Sequence, residues 1–148
     1  MIISKLIAAI EQRMYGHNFE VKLGFDVFNG SSEADFFAAL KGRYPDADTT
    51  QTLIAATTNS LVAHILACFN YRGDDGAGLK LSVEKERKLL DLQQQYFDVL
   101  EGFLGPDAQP FVLPNYNGLP GYPVWWDFRY VIFSDANRIA LAYGSSSD

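Results

Sequence analysis

Residues 124–148, "VWWDFRYVIFSDANRIALAYGSSSD", decide how this chain folds. Apolar residues alternate on either side of "SDAN", the signature of a β-hairpin. Successive side chains of a strand point to opposite faces. Val124, Trp126, Phe128, Tyr130 and Ile132 therefore share one face of the first strand. Ile139, Leu141 and Tyr143 share one face of the second. A two-residue turn at Ala136-Asn137 pairs Ile132 with Leu141 and Tyr130 with Tyr143, and a four-residue loop keeps the same parity. Either turn joins the two apolar sets into one core face containing Trp126. An odd-length loop would split them unless a bulge restored the match. The opposite face then carries Trp125, Asp127, Arg129, Val131 and Phe133 across from Arg138, Ala140, Ala142 and Gly144. Its small residues make a shallow bed with two readings. A helix of the same chain lies there, or a partner does, with Trp125 as its anchor.

Upstream, the hydrophobic period changes from two to about four. Ile2, Leu6, Ile10 and Met14, with Ile3 and Ile7 beside them, predict an amphipathic helix ending at Gly16. Phe19, Val21, Leu23, Phe25 and Val27 alternate with polar or small residues and predict a half-buried strand. Ser32 and Asp35 have capping-box spacing and open a second helix, closed by Gly42 and Pro45. The stretch from about Thr49 to Phe69 reads as a third helix. Ser82 caps a fourth, striped by Leu89, Leu92, Tyr96, Val99, Leu100 and Phe103. "GPDAQPFVLPNYNGLPGYP" (105–123) is too rich in Pro and Gly for regular structure, apart from a short extended piece at "FVL". It is also too aromatic for a flexible linker, so it predicts an ordered loop packed on the fold.

These elements predict one α+β domain spanning 1–148, with about four helices packed on a small antiparallel sheet of three to four strands that ends in the hairpin. A chain of this length buries roughly 68–70% of its unfolded surface, so it needs no disulfide or metal to fold. The net charge of −6 opposes binding to nucleic acid or an anionic membrane; it suits a basic protein partner, and simple solubility accounts for it equally without one. Cys68 is the single cysteine, which excludes an internal disulfide and fits a reducing compartment. The apolar N-terminus is broken by Lys5, Glu11 and Arg13 and shows no small-residue cleavage site, so it does not read as a signal peptide. No apolar run approaches the ~18 residues of a membrane span. A cytoplasmic location is expected.

No motif assigns chemistry. His64 and Cys68 are one helical turn apart, but their helix is apolar and no nearby acid orients the histidine, so a core thiol is the better reading than a Cys–His dyad. His17 lies in a turn with Asn18, where a hydrogen-bonding or capping role is the default. Two histidines and one cysteine do not make a typical structural zinc site. Asp74 and Asp75 in "GDDGAG" lack the ligand spacing of a calcium-binding EF-hand loop. There is no P-loop lysine, no G-x-G-x-x-G and no G-x-S-x-G. No cofactor, metal or catalytic residue is expected.

Trp125-Trp126-Asp127, the aromatic run Phe128 to Phe133 and the closing "YGSSSD" resemble the C-terminal hairpins of small acidic bacterial toxin-immunity proteins. The resemblance covers about the last quarter of the chain and transfers no individual binding residue. It implies tight binding to a toxin domain in the cytoplasm. The physical reading is compatible, because an acidic inhibitor gains association rate against a basic toxin. The expected contact residues are Trp125, Asp127, Arg129, Tyr116 and Tyr122, with Asp74 and Asp75 as acids able to meet Lys or Arg. Two alternatives stand beside this one. One is a structural or accessory subunit that forms a homo-oligomer or joins an assembly. The other is a small enzyme with an acidic site that the sequence does not locate.

Overall fold

The computed structural model describes residues 2–15, 20–72 and 80–147. Helix α1 (Ile3–Met14) is followed by strand β1 (Glu20–Asn29), α2 (Glu33–Arg43), β2 (Ile54–Ala55), α3 (Thr58–Asn70), α4 (Val83–Glu101), β3 (Gln109–Val112), β4 (Trp126–Phe133) and β5 (Arg138–Ser147). The strands form one antiparallel sheet in the order β1-β5-β4-β3-β2. The α+β class with four helices is as the sequence predicts, whereas the sheet has five strands rather than three to four. The additional strand is β2, two residues long, whose partner is β3. A two-residue strand leaves no periodicity to read.

Local signals set the helix starts. Ser32 accepts a hydrogen bond from the Asp35 amide, and the Asp35 carboxylate accepts from the Ser32 amide, completing the capping box. Asp35 is exposed, and the Ser31 amide, joined by that of Ser32, donates to its carboxyl and holds it below the usual range. Ser82 caps α4 in the same way, accepting from the Lys85 amide. Helix α3 starts at Thr58 rather than near Thr49. A second capping box, Thr57 with Ser60, fixes that start. Several threonines precede it, and the sequence alone does not distinguish which of them caps.

The hairpin register differs from the expected one. Ile132 lies opposite Ala140 and Tyr130 opposite Ala142, while Val131 faces Leu141 and Phe133 faces Ile139. Asn137 has a left-handed φ of 56°, and the Ser134 amide donates to the Arg138 carbonyl. The loop between them is therefore the odd one, Asp135-Ala136-Asn137, built as a turn closed by a left-handed residue. An odd loop divides the apolar residues between the two faces. Trp126, Phe128, Tyr130 and Ile132 share their face with Ala140 and Ala142, under α1, α3 and α4. Val131, Ile139, Leu141 and Tyr143 share the other face with Phe36 and Leu40 of α2, and with Tyr44, Leu53 and Leu113.

The sheet is thus a filling between two apolar layers. The bed of small residues is covered by the chain itself, with Ala140 and Ala142 fully buried. Gly144 lets Leu23 and Phe128 lean over it, since a Cβ there would come within 2.7 Å of Leu23 Cδ2 and 2.8 Å of Phe128 Cε1. On the opposite face Gly24 leaves room for the ring of Tyr143, which a Cβ would meet at 2.0 Å. The Tyr143 ring is held edge-on against Tyr44, and their hydroxyls lie 2.8 Å apart. Tyr44 also donates to Asp26, which pairs with Arg43 at 3.5 Å. Because Tyr143 has nowhere to retreat, Gly24→Ala is expected to cost about 1–3 kcal/mol. Urea unfolding checks this, and an unchanged midpoint would contradict the packing of Tyr143 across Gly24.

Candidate functional site

Arg129 organises the surface that the sequence marks for binding. Odd residues of β4 face α2, so its side chain emerges beside the Pro-rich segment 113–123. Its Nε donates to the Leu113 carbonyl at 2.8 Å, and Nη2 donates to the Pro114 carbonyl at 2.9 Å. Nη1 pairs with the Asp127 carboxylate, and the guanidinium lies 5.5 Å from the centre of the Tyr116 ring. Burial draws the Arg129 pKa below its ordinary value. Its charge and fork geometry hold the loop to the sheet.

A second set of bonds closes the loop from the other side. The Asn115 amide donates to Gln51 Oε1 at 2.7 Å, and Asn115 Nδ2 donates to Asp48 Oδ2 at 3.3 Å. The Thr50 hydroxyl and amide also donate to Asp48 and hold its exposed carboxyl below the usual range. Gly118, with φ of 85°, crosses the backbone of Asp46 and Ala47, where a Cβ would come within 2.4 Å. The result is an ordered loop presenting Tyr116 (47% exposed) and Tyr122 (72% exposed) to solvent. The crevice beneath it, lined by Tyr116, Asp127, Arg129 and Tyr143, holds only about 10 Å³. That is far below the roughly 300 Å³ at which small-molecule sites begin. The exposed rim, rather than an interior, is what this region offers.

Five of the expected contact residues separate into two groups. Tyr116, Asp127 and Arg129 meet on the α2 face, with Tyr122 at the far end of the same loop. Trp125 does not join them. It precedes β4, and the amides of both Val124 and Trp125 donate to the Ser146 carbonyl. The backbone there is not in strand alternation, and the two tryptophans pack against the same helical layer. Trp125 is half-buried, 6.0 Å from the ring of Tyr71, and Trp126 stacks on Phe128 at 6.1 Å. Asp74 and Asp75, like His17, lie outside the described residues. The sequence reading missed Tyr15, half exposed, which lines a cleft of about 250 Å³ with Tyr122, Glu20 and Lys22. An aromatic one residue beyond the last buried position of α1 was the available signal.

The His64 and Cys68 pair is not arranged as a nucleophile and base. His64 Nδ1 lies 2.7 Å from the Tyr130 hydroxyl, and burial followed by the Arg129 charge draws its pKa down. Burial pushes the Cys68 thiol from 9.0 up to about 12, so it carries no thiolate at neutral pH. Among the described residues no cluster of His, Cys, Asp or Glu could hold a metal ion, and no helix is long and apolar enough to cross a membrane.

No protein-family model matches the chain, and no curated protein matches it in sequence. Its fold is similar to that of citrus MAF1 in two crystal structures. One aligns with a TM-score of 0.51 at 12% identity, covering 96% of this chain and 98% of the other. The second aligns with a TM-score of 0.53 at 10% identity, covering 95% and 99%. At these identities the likeness concerns the fold alone.

The Cys68 thiol also fixes a pH response. An acid whose folded pKa is raised gives stability that is whole below its unfolded pKa and is lost as pH rises through the folded value. For Cys68 that window runs from 9.0 to about 12. The urea midpoint of the wild type is therefore expected to fall more steeply above pH 9 than that of Cys68→Ala. Parallel declines would contradict the protected thiol.

Proposed function

We propose that this chain is a protein-binding module whose partner is a basic toxin domain, which it neutralises in the cytoplasm of a bacterium. The observation that carries the reading is the clamped loop, on which Arg129 and Asn115 hold the exposed Tyr116 in place before any partner arrives, with the exposed Tyr122 farther along the same loop. Tyrosine supplies large contact area at little entropic cost, and a preorganised loop lowers the cost of association further. The net charge of −6 supports a basic partner, because opposite charge raises the association rate. The C-terminal hairpin's resemblance to toxin-immunity proteins supports the choice of toxin. Tyr116 and Tyr122 are the contacts in this reading, and Arg129 with Asp127 positions Tyr116.

The test is whether a toxin domain is encoded beside this chain's own gene, and then co-expression with that domain; absence of one would count against the reading. Growth is expected to be restored by the wild type. Tyr116→Ala combined with Tyr122→Ala is expected to weaken the purified complex by about 2 kcal/mol or more, roughly thirtyfold. Titration calorimetry measures that loss. Failure to restore growth would overturn the toxin reading. A complex of unchanged affinity would overturn the tyrosine rim. A concentration-dependent dimer dispersed by the same substitutions would instead favour a self-associating subunit.

A further inference from the structure

The helical face carries a groove that the described residues leave uncovered. Val62 and Thr58 of α3 face Phe97, Leu100 and Glu101 of α4, with Leu104 just beyond the helix end, around a volume of about 240 Å³. Leu66 lies one turn beyond Val62 on the same flank of α3 and is 44% exposed. Leu90 lies two turns before Phe97 on the same flank of α4 and is 50% exposed. The two helices are tied where α3 ends, because Arg72 donates to the Phe69 carbonyl and pairs with Glu86 of α4 at 2.8 Å. From Leu90 to Glu101 the apolar flank of α4 runs about 16 Å, roughly three turns of a docked helix.

Along the α4 side of the groove, from Leu89 onward, the charges have one sign. Helix α3 contains no Lys, Arg, Asp or Glu. The half of α4 from Leu89 to Glu101 carries Asp91, Asp98 and Glu101 and no base. All three acids are exposed, and none forms an ion pair among the described residues. Their hydrogen bonds come from neutral side chains, Gln95 to Asp91 and Gln94 to Asp98. An apolar trough bordered on its α4 side by carboxylates without ion-pair partners complements one kind of segment, with leucine-like residues at helical spacing and Lys or Arg on the flank that meets α4.

We propose that the α3–α4 groove is a docking site for a basic amphipathic helix of a partner protein. It lies on the opposite face of the sheet from the Tyr116 rim. It goes beyond the toxin-binding reading and stands or falls without it. The probe is a synthetic amphipathic helix of leucine and lysine, compared with a leucine and glutamate peptide of identical apolar face. The lysine peptide is expected to bind, and to bind more weakly as salt is raised. Leu66→Glu with Leu90→Glu is expected to reduce its affinity at least about tenfold, which is 1.4 kcal/mol. Both residues are about half exposed, so the variant keeps its core. Asp98→Asn with Glu101→Gln alters no packing; it is expected to weaken binding severalfold and flatten the salt dependence. Equal binding of the two peptides, or indifference to both pairs of substitutions, would overturn the proposal. So would a dimer of the chain itself that Leu66→Glu disperses, since the groove's occupant would then be a second copy.

Discussion

The three-residue turn Asp135-Ala136-Asn137 is the constraint on which the rest of this structure depends. A strand has two faces, and the length of the turn decides which residues of β5 share a face with which residues of β4. With Asn137 in the left-handed region the parity is odd. The large apolar residues of β4 then face alanines, and the large apolar residues of β5 face Val131 and Phe133. Neither face can be left to water. One is buried by α1, α3 and α4, and the other by α2 and the segments that carry Leu53 and Leu113. The burial of the β4–β5 hairpin on both sides goes with the odd register that this turn closes.

The same parity places the candidate surfaces. Arg129 falls on the α2 face because it is odd, and there it reaches the carbonyls of Leu113 and Pro114. The Pro-rich segment therefore lies on that face, with Tyr116 over the guanidinium. The even face receives Trp126, Phe128 and Tyr130, and the helices above them leave the α3–α4 groove on its outer side. A rim and a groove on opposite faces are two consequences of one register.

Much of this was legible in the sequence, for physical reasons that differ by element. Helices α1 and α4 bury one stripe each, and a stripe is a periodic signal. The Ser32 cap was legible because its partners are three residues away. The hairpin was legible, but its register was not. Two-, three- and four-residue turns all fit "SDAN", and the alternation of β5 looks equally apolar on both faces once alanine is counted. The start of α3 was hidden among threonines, and β2 is too short to show a period. At the site, the tyrosines could be named from composition and loop context. The clamp could not, because Arg129 bonds to carbonyls 15 and 16 residues away, and backbone acceptors leave no trace in side-chain identity. Trp125 was misplaced because strand alternation was extended two residues too far, across the point where Val124 and Trp125 share the Ser146 carbonyl.

The most direct measurement is the pattern of cross-strand nuclear Overhauser effects between backbone protons of β4 and β5. The register described here predicts strong contacts joining Val131 with Leu141 and Arg129 with Tyr143. Contacts joining Ile132 with Leu141 and Tyr130 with Tyr143 would contradict it. They would place both large apolar sets on one face, and the two-sided sheet would lose its basis along with the rim and the groove.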